Sequence, residues 1–133
     1  MVRVAIDTNV LVSALIKRGK SRKLVCNLLE GHTVILSRQI LAELADVLAR
    51  DKFAVTPAQA DKFLAILVRN AKIVAPTSYF QIIKEDPGDD IILNTAYAGK
   101  AEYLVTGDKH LLALKEFKRI KIVKINQMIE NLR

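Results

Sequence analysis

Apolar positions along the chain fall into short continuous runs that alternate with stretches of helical spacing. The runs at residues 2–6, 33–36, 103–106 and 120–125 have the length of strands, and residues 73–74 form a shorter candidate. Strands covered on both faces read as continuous apolar runs, and regular alternation of strand and helix favours parallel pairing. The pattern therefore predicts an α/β domain, a three-layer α/β/α sandwich with a mainly parallel central sheet.

Helical spacing fills the segments between these runs. Ser21, Ser37 and Thr56 are residue types that cap helix N-termini, and Pro57 suits the first turn of the helix that Thr56 begins. Gly99 is a typical helix end. Residues 79–83 are compatible with either a strand or a helix. Helices are accordingly predicted at residues 10–15, 21–30, 37–48, 56–71 and 109–114, and from Asp89 or Asp90 to residue 98. Residues 127–132 are compatible with one or two further helical turns.

Length and composition add limits to this picture. The 133 residues are 51% hydrophobic, include no tryptophan, and suit one domain spanning residues 1–133, since no repeat or linker divides them. We see no signal peptide and no run of about 18 uncharged apolar residues, so no membrane insertion is expected. The single cysteine, Cys26, excludes an intramolecular disulfide and favours a cytoplasmic location. Cys26 itself is expected to be a small core residue.

The chain is basic, with a net charge of +7. One cluster contains Lys20, Arg22 and Lys23, and a second falls within residues 115–124. Such an excess favours a polyanionic partner such as RNA, whose binding would be sensitive to salt. Each cluster alone fits a solvated surface equally well. Lys20, Arg22 and Lys23 are the candidate RNA contacts.

Acidic residues are concentrated in one stretch and at predicted strand ends. Four of them lie close together: Glu85, Asp86, Asp89 and Asp90. Asp7 directly follows the first predicted strand, and Asp108 follows the strand at residues 103–106. Ligands of parallel sheets bind outside the carboxyl ends of the strands. Each acid alone is an ordinary helix cap or turn residue, but together they predict a cation site at this edge.

Glu43 joins the candidates because of its place on a predicted helix. At about 100° per residue, it lies at the border of the apolar face that includes Leu41 and Leu44, whereas Asp46 faces solvent. A carboxylate at that border can point into a cleft at the sheet edge. A glutamate exposed at the surface is the simpler interpretation of this residue taken alone.

Clustered carboxylates repel one another, which raises their pKa values. Mg²⁺ or Mn²⁺ offsets this repulsion because both ions prefer oxygen ligands. His32 and His110 are isolated and lack the spacing of zinc ligands. The expected chemistry is phosphoryl transfer assisted by a divalent metal.

Three stretches resemble, in order, the motifs of the PIN domain family. They are Ala5-Ile6-Asp7-Thr8-Asn9-Val10-Leu11, Asp89-Asp90-Ile91-Ile92-Leu93-Asn94-Thr95-Ala96 and Leu104-Val105-Thr106-Gly107-Asp108-Lys109-His110-Leu111. The resemblance implies that Mg²⁺ or Mn²⁺ is bound by four catalytic acids: Asp7, Glu43, Asp90 and Asp108. It also implies that Asn9 and Thr106 orient them. Asp90 is chosen over Asp89 because it stands directly before the apolar helix; Asp89 and Asp86 are additional acids.

The same resemblance implies a metal-dependent endoribonuclease that cleaves RNA phosphodiester bonds. The short chain suits the toxin-like, VapC-like branch of toxin–antitoxin systems, with an antitoxin as a partner and a homodimer as a frequent assembly. Two alternatives remain open. One is a non-catalytic RNA- or protein-binding module of the same fold. The other is an aspartyl-phosphate phosphatase of the haloacid-dehalogenase type, which would need a second aspartate where this chain has Asn9.

Overall fold

Six strands form one sheet in the order β3-β2-β1-β4-β6-β5. The computed structural model describes residues 1–84 and 86–133; Glu85 and the side chain of Pro87 lie outside the described part. The strands are β1 (Arg3–Ile6), β2 (Thr33–Ser37), β3 (Lys72–Val74), β4 (Tyr103–Val105), β5 (Glu116–Phe117) and β6 (Ile120–Val123). Every neighbouring pair is parallel except β5 with β6. The predicted mainly parallel sheet is confirmed.

Helices flank this sheet, which confirms the predicted α/β class. They are α1 (Thr8–Ile16), α2 (Lys20–Gly31), α3 (Arg38–Leu48), α4 (Pro57–Asn70), α5 (Pro87–Ala98), α6 (Lys109–Leu114) and α7 (Ile125–Asn131). A 3₁₀ turn at Asp51–Phe53 and the short strand β5 were not predicted. Residues 79–83 form neither helix nor strand, and the last long strand ends at Val123. Within the described part, no helix has the length and apolar character needed to cross a bilayer.

Local side-chain chemistry explains where most helices begin. Ser37 caps α3 through a hydrogen bond from the Ile40 amide to its hydroxyl. Thr56 and Gln59 form a reciprocal capping box at the start of α4. Ser21 does not cap α2, because that helix already begins at Lys20 and the Ser21 hydroxyl is paired with Ser13 at 2.7 Å.

The contact between α5 and β2 shows how closely the layers pack. A Cβ atom on Gly99 would lie 2.2 Å from Cγ2 of Ile35, so the end of α5 can approach β2 only with glycine there.

Cys26 is exposed, and the prediction that it belongs to the core is wrong. The buried positions of α2 are Ser21, Leu24, Val25 and Leu28, and the helical rotation places residue 26 on the outer side of that stripe.

Candidate metal centre

The centre of the site is the edge where β1 and β4 both end. Ile6 pairs with Val105, so the residues that follow these strands, Asp7 and Thr106, become neighbours. The fully buried Thr106 hydroxyl donates to Oδ2 of Asp7 at 2.7 Å and accepts from the Asp108 amide at 3.0 Å. One hydroxyl therefore fixes both the first acid and the backbone that carries the second.

Asp7 is 8% exposed and caps α1, with its Oδ1 accepting from the Thr8 amide at 2.8 Å. Burial raises the pKa of Asp7, and this effect outweighs the hydrogen bonds from Thr106 and Thr8, which favour the charged form. The charges of Glu43 and Asp108 raise it further. Asp7 therefore lies close enough to both Glu43 and Asp108 for their charges to repel its own.

Asp108 caps α6. Its Oδ1 accepts from the amides of His110 and Leu111, at 2.8 and 3.1 Å, and lies 3.8 Å from Nδ1 of His110. These contacts fix the carboxylate while using one of its two oxygens.

Asp89, in the first turn of α5, completes the cluster. It is 8% exposed, and its buried Oδ2 has no hydrogen-bond partner among the described residues. Burial, the charges of Asp108 and Asp86, a side-chain hydrogen bond with Asp108 and the charge of Asp7 raise the pKa of Asp89 to about 7. Asp89, Asp108 and His110 each place one ligand atom within 4.8 Å of those of the other two.

Asp90 lies elsewhere, in contrast to the expectation that it would join Asp7 and Asp108. Its Oδ1 accepts from the amides of Ile82 and Ile83, both at 2.9 Å. The residue lines a cavity of about 600 Å³ together with Tyr79 and other residues of the segment that precedes α5. Neighbouring residues of a helix point about 100° apart, so only one of Asp89 and Asp90 can face the strand edge. The structure brings Asp89 there.

Glu43 occupies the half-buried border of α3 that its spacing predicted, and Asp46 is exposed. The start of α3 is tied to α5 because the hydroxyls of Ser37 and Thr95 lie 2.8 Å apart. This contact holds the helix that carries Glu43 against the helix that carries Asp89.

The remaining predicted site residues lie around the cluster. Asn9 is exposed on α1. Asp86 is exposed and caps α5 by accepting from the Gly88 amide at 2.9 Å, while its charge contributes to the raised pKa of Asp89. Glu85 lies outside the described residues. The structure therefore places Thr106 within the cluster, and Asp86 at its margin.

The three residues of α2 that are predicted to contact RNA differ in the hydrogen bonds that their side chains make within the protein. Lys20 donates to Oδ1 of Asn126 at 3.2 Å, and Lys23 is exposed. The Arg22 guanidinium donates to the carbonyl oxygens of Ala14 and Leu15 at the end of α1. Arg22 thus stabilises a helix terminus, where carbonyl groups lack partners.

Sequence reasoning missed two polar residues of this centre. His110 looks isolated in the sequence, although its position two residues after Asp108 on a short helix is a usable signal. Thr8 is 1% exposed, and its hydroxyl oxygen has no hydrogen-bond partner in the described part of the chain. No sequence pattern distinguishes such a buried threonine from an ordinary residue of a first helical turn.

The donor set fits a hard divalent cation. Asp7, Asp89 and Asp108 supply oxygen ligands, which Mg²⁺ and Mn²⁺ prefer, and one histidine nitrogen is compatible with Mn²⁺. A buried carboxylate oxygen without a partner, as at Asp89, is costly unless a cation or proton satisfies it. The cluster is therefore chemically suited to a divalent metal.

Fold and cluster together define an α/β protein with an acidic, cation-suited centre at the carboxyl ends of its central parallel strands. The chain belongs to the PIN domain family, a family of nucleases, whose model matches residues 3–110. An uncharacterized protein of Methanocaldococcus jannaschii is 30% identical over 96% of this chain and 83% of its own length.

Solved structures show the same fold at low sequence identity. A structure of VapBC2 from Rickettsia felis bound to a DNA fragment from their promoter matches with a TM-score of 0.65 and 21% identity, over 92% of this chain and 98% of that chain. PAE2754 from Pyrobaculum aerophilum matches with a TM-score of 0.65 and 16% identity, over 98% of this chain and 89% of that chain. A structure of VapBC-1 from nontypeable Haemophilus influenzae matches with a TM-score of 0.59 and 16% identity, over 93% of this chain and 98% of that chain.

The raised pKa of Asp89 predicts how the stability of the metal-free protein depends on pH. The folded state holds a proton on Asp89 up to pH of about 7, whereas the unfolded state loses it near 3.8. Stability is therefore lost as pH rises from about 4 to 7, by at most about 4 kcal/mol. The melting temperatures of wild type and Asp89→Asn should coincide most closely near pH 4, and that of the variant should exceed that of wild type increasingly towards pH 8. A difference independent of pH would contradict the assignment.

Proposed function

We propose that this protein is a metal-dependent endoribonuclease that hydrolyses RNA phosphodiester bonds. The observation that carries the proposal is the convergence of Asp7, Asp89 and Asp108 at one strand edge, with the buried Asp89 oxygen left without a partner. A protein of net charge +7 with an acidic cluster at a strand edge is suited to a polyanionic substrate whose reacting phosphate meets a cation. Membership of a nuclease family supports the same reaction class.

Asp7, Asp89 and Asp108 would hold Mg²⁺ or Mn²⁺, with Glu43 as a further acid beside Asp7. When bound, such an ion supplies charge stabilisation at the phosphate and lowers the pKa of water. Thr106 keeps the Asp7 carboxylate in place, and the amides at the start of α6 fix Asp108. Two neighbouring groups could accept or hold a proton: His110, which lies 3.8 Å from Asp108, and Glu43, whose charge acts on Asp7.

We further propose that the protein acts in the cytoplasm as the toxin of a toxin–antitoxin pair, with an antitoxin protein as its partner. Support comes from the VapBC structures, which share this fold over nearly the whole chain. A homodimer belongs to the same proposal. Lys20 and Lys23, exposed on α2, are proposed RNA contacts, whereas Arg22 is assigned to the end of α1.

The experiment that tests the proposed reaction is cleavage of a mixed pool of single-stranded RNA with Mg²⁺, Mn²⁺ or chelator. Cleavage that requires metal supports the nuclease. Binding without cleavage would favour the non-catalytic module, and release of phosphate from a phosphomonoester would favour the phosphatase. The exposed amide of Asn9, in place of a second aspartate, already argues against the phosphatase.

Thr106→Val should weaken metal binding and RNA cleavage by roughly 10–100-fold while preserving the shape of the core. The substitution removes the hydroxyl that donates to Asp7 and accepts from the Asp108 amide. Mn²⁺ titration and initial cleavage rates would measure both effects. Thr106→Ser retains the hydroxyl and is the matched control, expected to keep most of the activity. Equal losses in both variants would show that packing, and not the hydroxyl, matters.

A further inference from the structure

A second hollow, of about 650 Å³, lies at the edge of the sheet opposite the acidic centre. β1, β4 and β6 begin at this edge, and its lining includes Arg3, Tyr97, Lys100, Glu102, Lys118 and Arg119. Arg3 and Asp7 stand at opposite ends of β1, roughly 13 Å apart at about 3.3 Å per residue. The hollow is therefore separate from the acidic centre but within reach of a ligand that extends across the sheet.

Four cationic side chains and one carboxylate make this hollow strongly basic. All four cations are exposed. Across residues 1–84 and 86–133, none of them has a carboxylate oxygen within 4.0 Å of its charged nitrogen atoms. Nε of Arg3 donates to the Lys100 carbonyl at 2.9 Å, which holds that guanidinium at the rim. The cations converge without being neutralised by the protein.

Three of these cationic residues have a positive φ angle, a backbone conformation that is unfavourable for residues other than glycine, asparagine and aspartate. Lys100, Lys118 and Arg119 have φ angles of 54°, 50° and 70°. Lys118 and Arg119 form the two-residue turn between β5 and β6, where positive φ at both positions normally selects Asn-Gly. Lysine and arginine there cost stability, on the order of 1 kcal/mol each. A turn that keeps two strained cations, where unstrained residues exist, points to a role for their charge.

Aromatic side chains adjoin the cations. The Tyr97 ring is 42% exposed in the hollow and packs edge to face against Phe80, with ring centroids 5.0 Å apart. Phe80 also packs edge to face against Phe117, with ring centroids 5.2 Å apart. Nζ of Lys118 lies 5.5 Å from the centroid of the Phe80 ring. The exposed Tyr97 thus packs against Phe80 and lines the same hollow as the basic side chains. Such a surface suits unpaired bases flanked by phosphates.

We propose that this hollow binds single-stranded RNA at a distance from the cleavage centre, with phosphates on Arg3, Lys100, Lys118 and Arg119 and a base on Tyr97. The inference rests on the proposed function in taking RNA as the polyanion. An RNA chain bound here could extend over the surface of the protein to the acids at the opposite edge, so the hollow would increase affinity for longer RNA without contacting the scissile phosphate.

The test uses a turn variant that combines Lys118→Asn with Arg119→Gly, the residues that positive φ at both turn positions favours. All proteins carry Asp7→Asn and are free of metal, and binding of fluorescein-labelled oligouridine is followed by anisotropy across a salt series. The turn variant should bind more weakly, and its salt slope should fall by about 1.4, since each phosphate that a protein neutralises on a single strand adds about 0.7 to the slope. Its melting temperature should equal or exceed that of the parent, which excludes misfolding as the cause.

Lys62→Gln with Arg69→Gln is the charge control, because it removes two exposed cations from α4, outside the hollow. This control should retain the parent's salt slope. The proposal is overturned if the turn variant binds like the parent, if the control loses as much as the turn variant, or if duplex RNA competes as well as single strands. Cleavage by the wild type is measured separately, so loss of the hollow and loss of the proposed nuclease activity remain distinguishable.

Discussion

Asp7→Asn should reduce metal-dependent RNA cleavage by on the order of a thousandfold, because a metal-held carboxylate contributes several kcal/mol of transition-state stabilisation. The Asp7 carboxylate is held by Thr106 and Thr8 and lies beside Glu43 and Asp108. An asparagine keeps the shape and one acceptor oxygen, so the fold should persist. Initial rates on single-stranded RNA, with circular dichroism as the check on folding, measure the effect.

The ends of the RNA products test the same chemistry in the wild type. Attack by water at phosphorus, with the 3′ oxygen as the leaving group, produces a 5′-phosphate and a 3′-hydroxyl. Products that end in 2′,3′-cyclic phosphate would show that the ribose hydroxyl is the nucleophile. Residual activity of Asp7→Asn close to wild type would remove Asp7 from the mechanism.

Asp89→Asn and Asp90→Asn should have opposite consequences for metal binding, although they are adjacent and chemically identical changes. Asp89→Asn removes a buried carboxyl group whose pKa is raised to about 7, so at pH 8 the metal-free variant should melt higher than wild type, by up to roughly 12 °C. Wild type should gain about 2.7 kcal/mol at a hundredfold excess of Mn²⁺ over Kd, and Asp89→Asn much less. A merely destabilising substitution cannot produce both shifts.

Asp90→Asn serves as the matched control. Its Oδ1 accepts from two backbone amides, and an asparagine oxygen can accept the same bonds. This variant should therefore gain as much from Mn²⁺ as wild type does. A Mn²⁺ gain lost in Asp90→Asn and kept in Asp89→Asn would return the site to the residue first expected from the sequence.

The positions of Asp7, Thr106 and Asp108 could be predicted from the sequence because they depend on strand ends. Adjacent parallel strands bring the residues after them to one edge, whatever the details of packing. Glu43 could be placed for a similar reason, since the apolar stripe of α3 sets its rotation. Periodic burial therefore carried most of the information about this centre.

The choice between Asp89 and Asp90 could not be made in this way. Both precede the apolar part of α5, and the rotation of its first turn is set by tertiary contacts. Asn94 exchanges hydrogen bonds with the backbone of Phe80, and Asp90 accepts from Ile82 and Ile83, which together dock the preceding segment on one face of the helix. That segment has no periodic pattern of its own, so its position was not visible in the sequence.

The turn at Lys118 and Arg119 was missed for a different physical reason. Tight hairpins are found in sequences through Gly, Asn and Asp, which adopt positive φ at low cost. A lysine and an arginine in that conformation give no turn signal, and the second basic cluster was seen only as charge. The structure shows that part of this cluster lies at a strained turn beside an exposed tyrosine.

The most direct test is cleavage of one single-stranded RNA by wild type, Asp89→Asn and Asp90→Asn, each with Mg²⁺ and with chelator. Wild type and Asp90→Asn should cut the RNA when Mg²⁺ is present, Asp89→Asn should not, and none should cut in chelator. Cleavage that persists in chelator, or an active Asp89→Asn beside an inactive Asp90→Asn, would contradict a metal centre built on Asp7, Asp89 and Asp108.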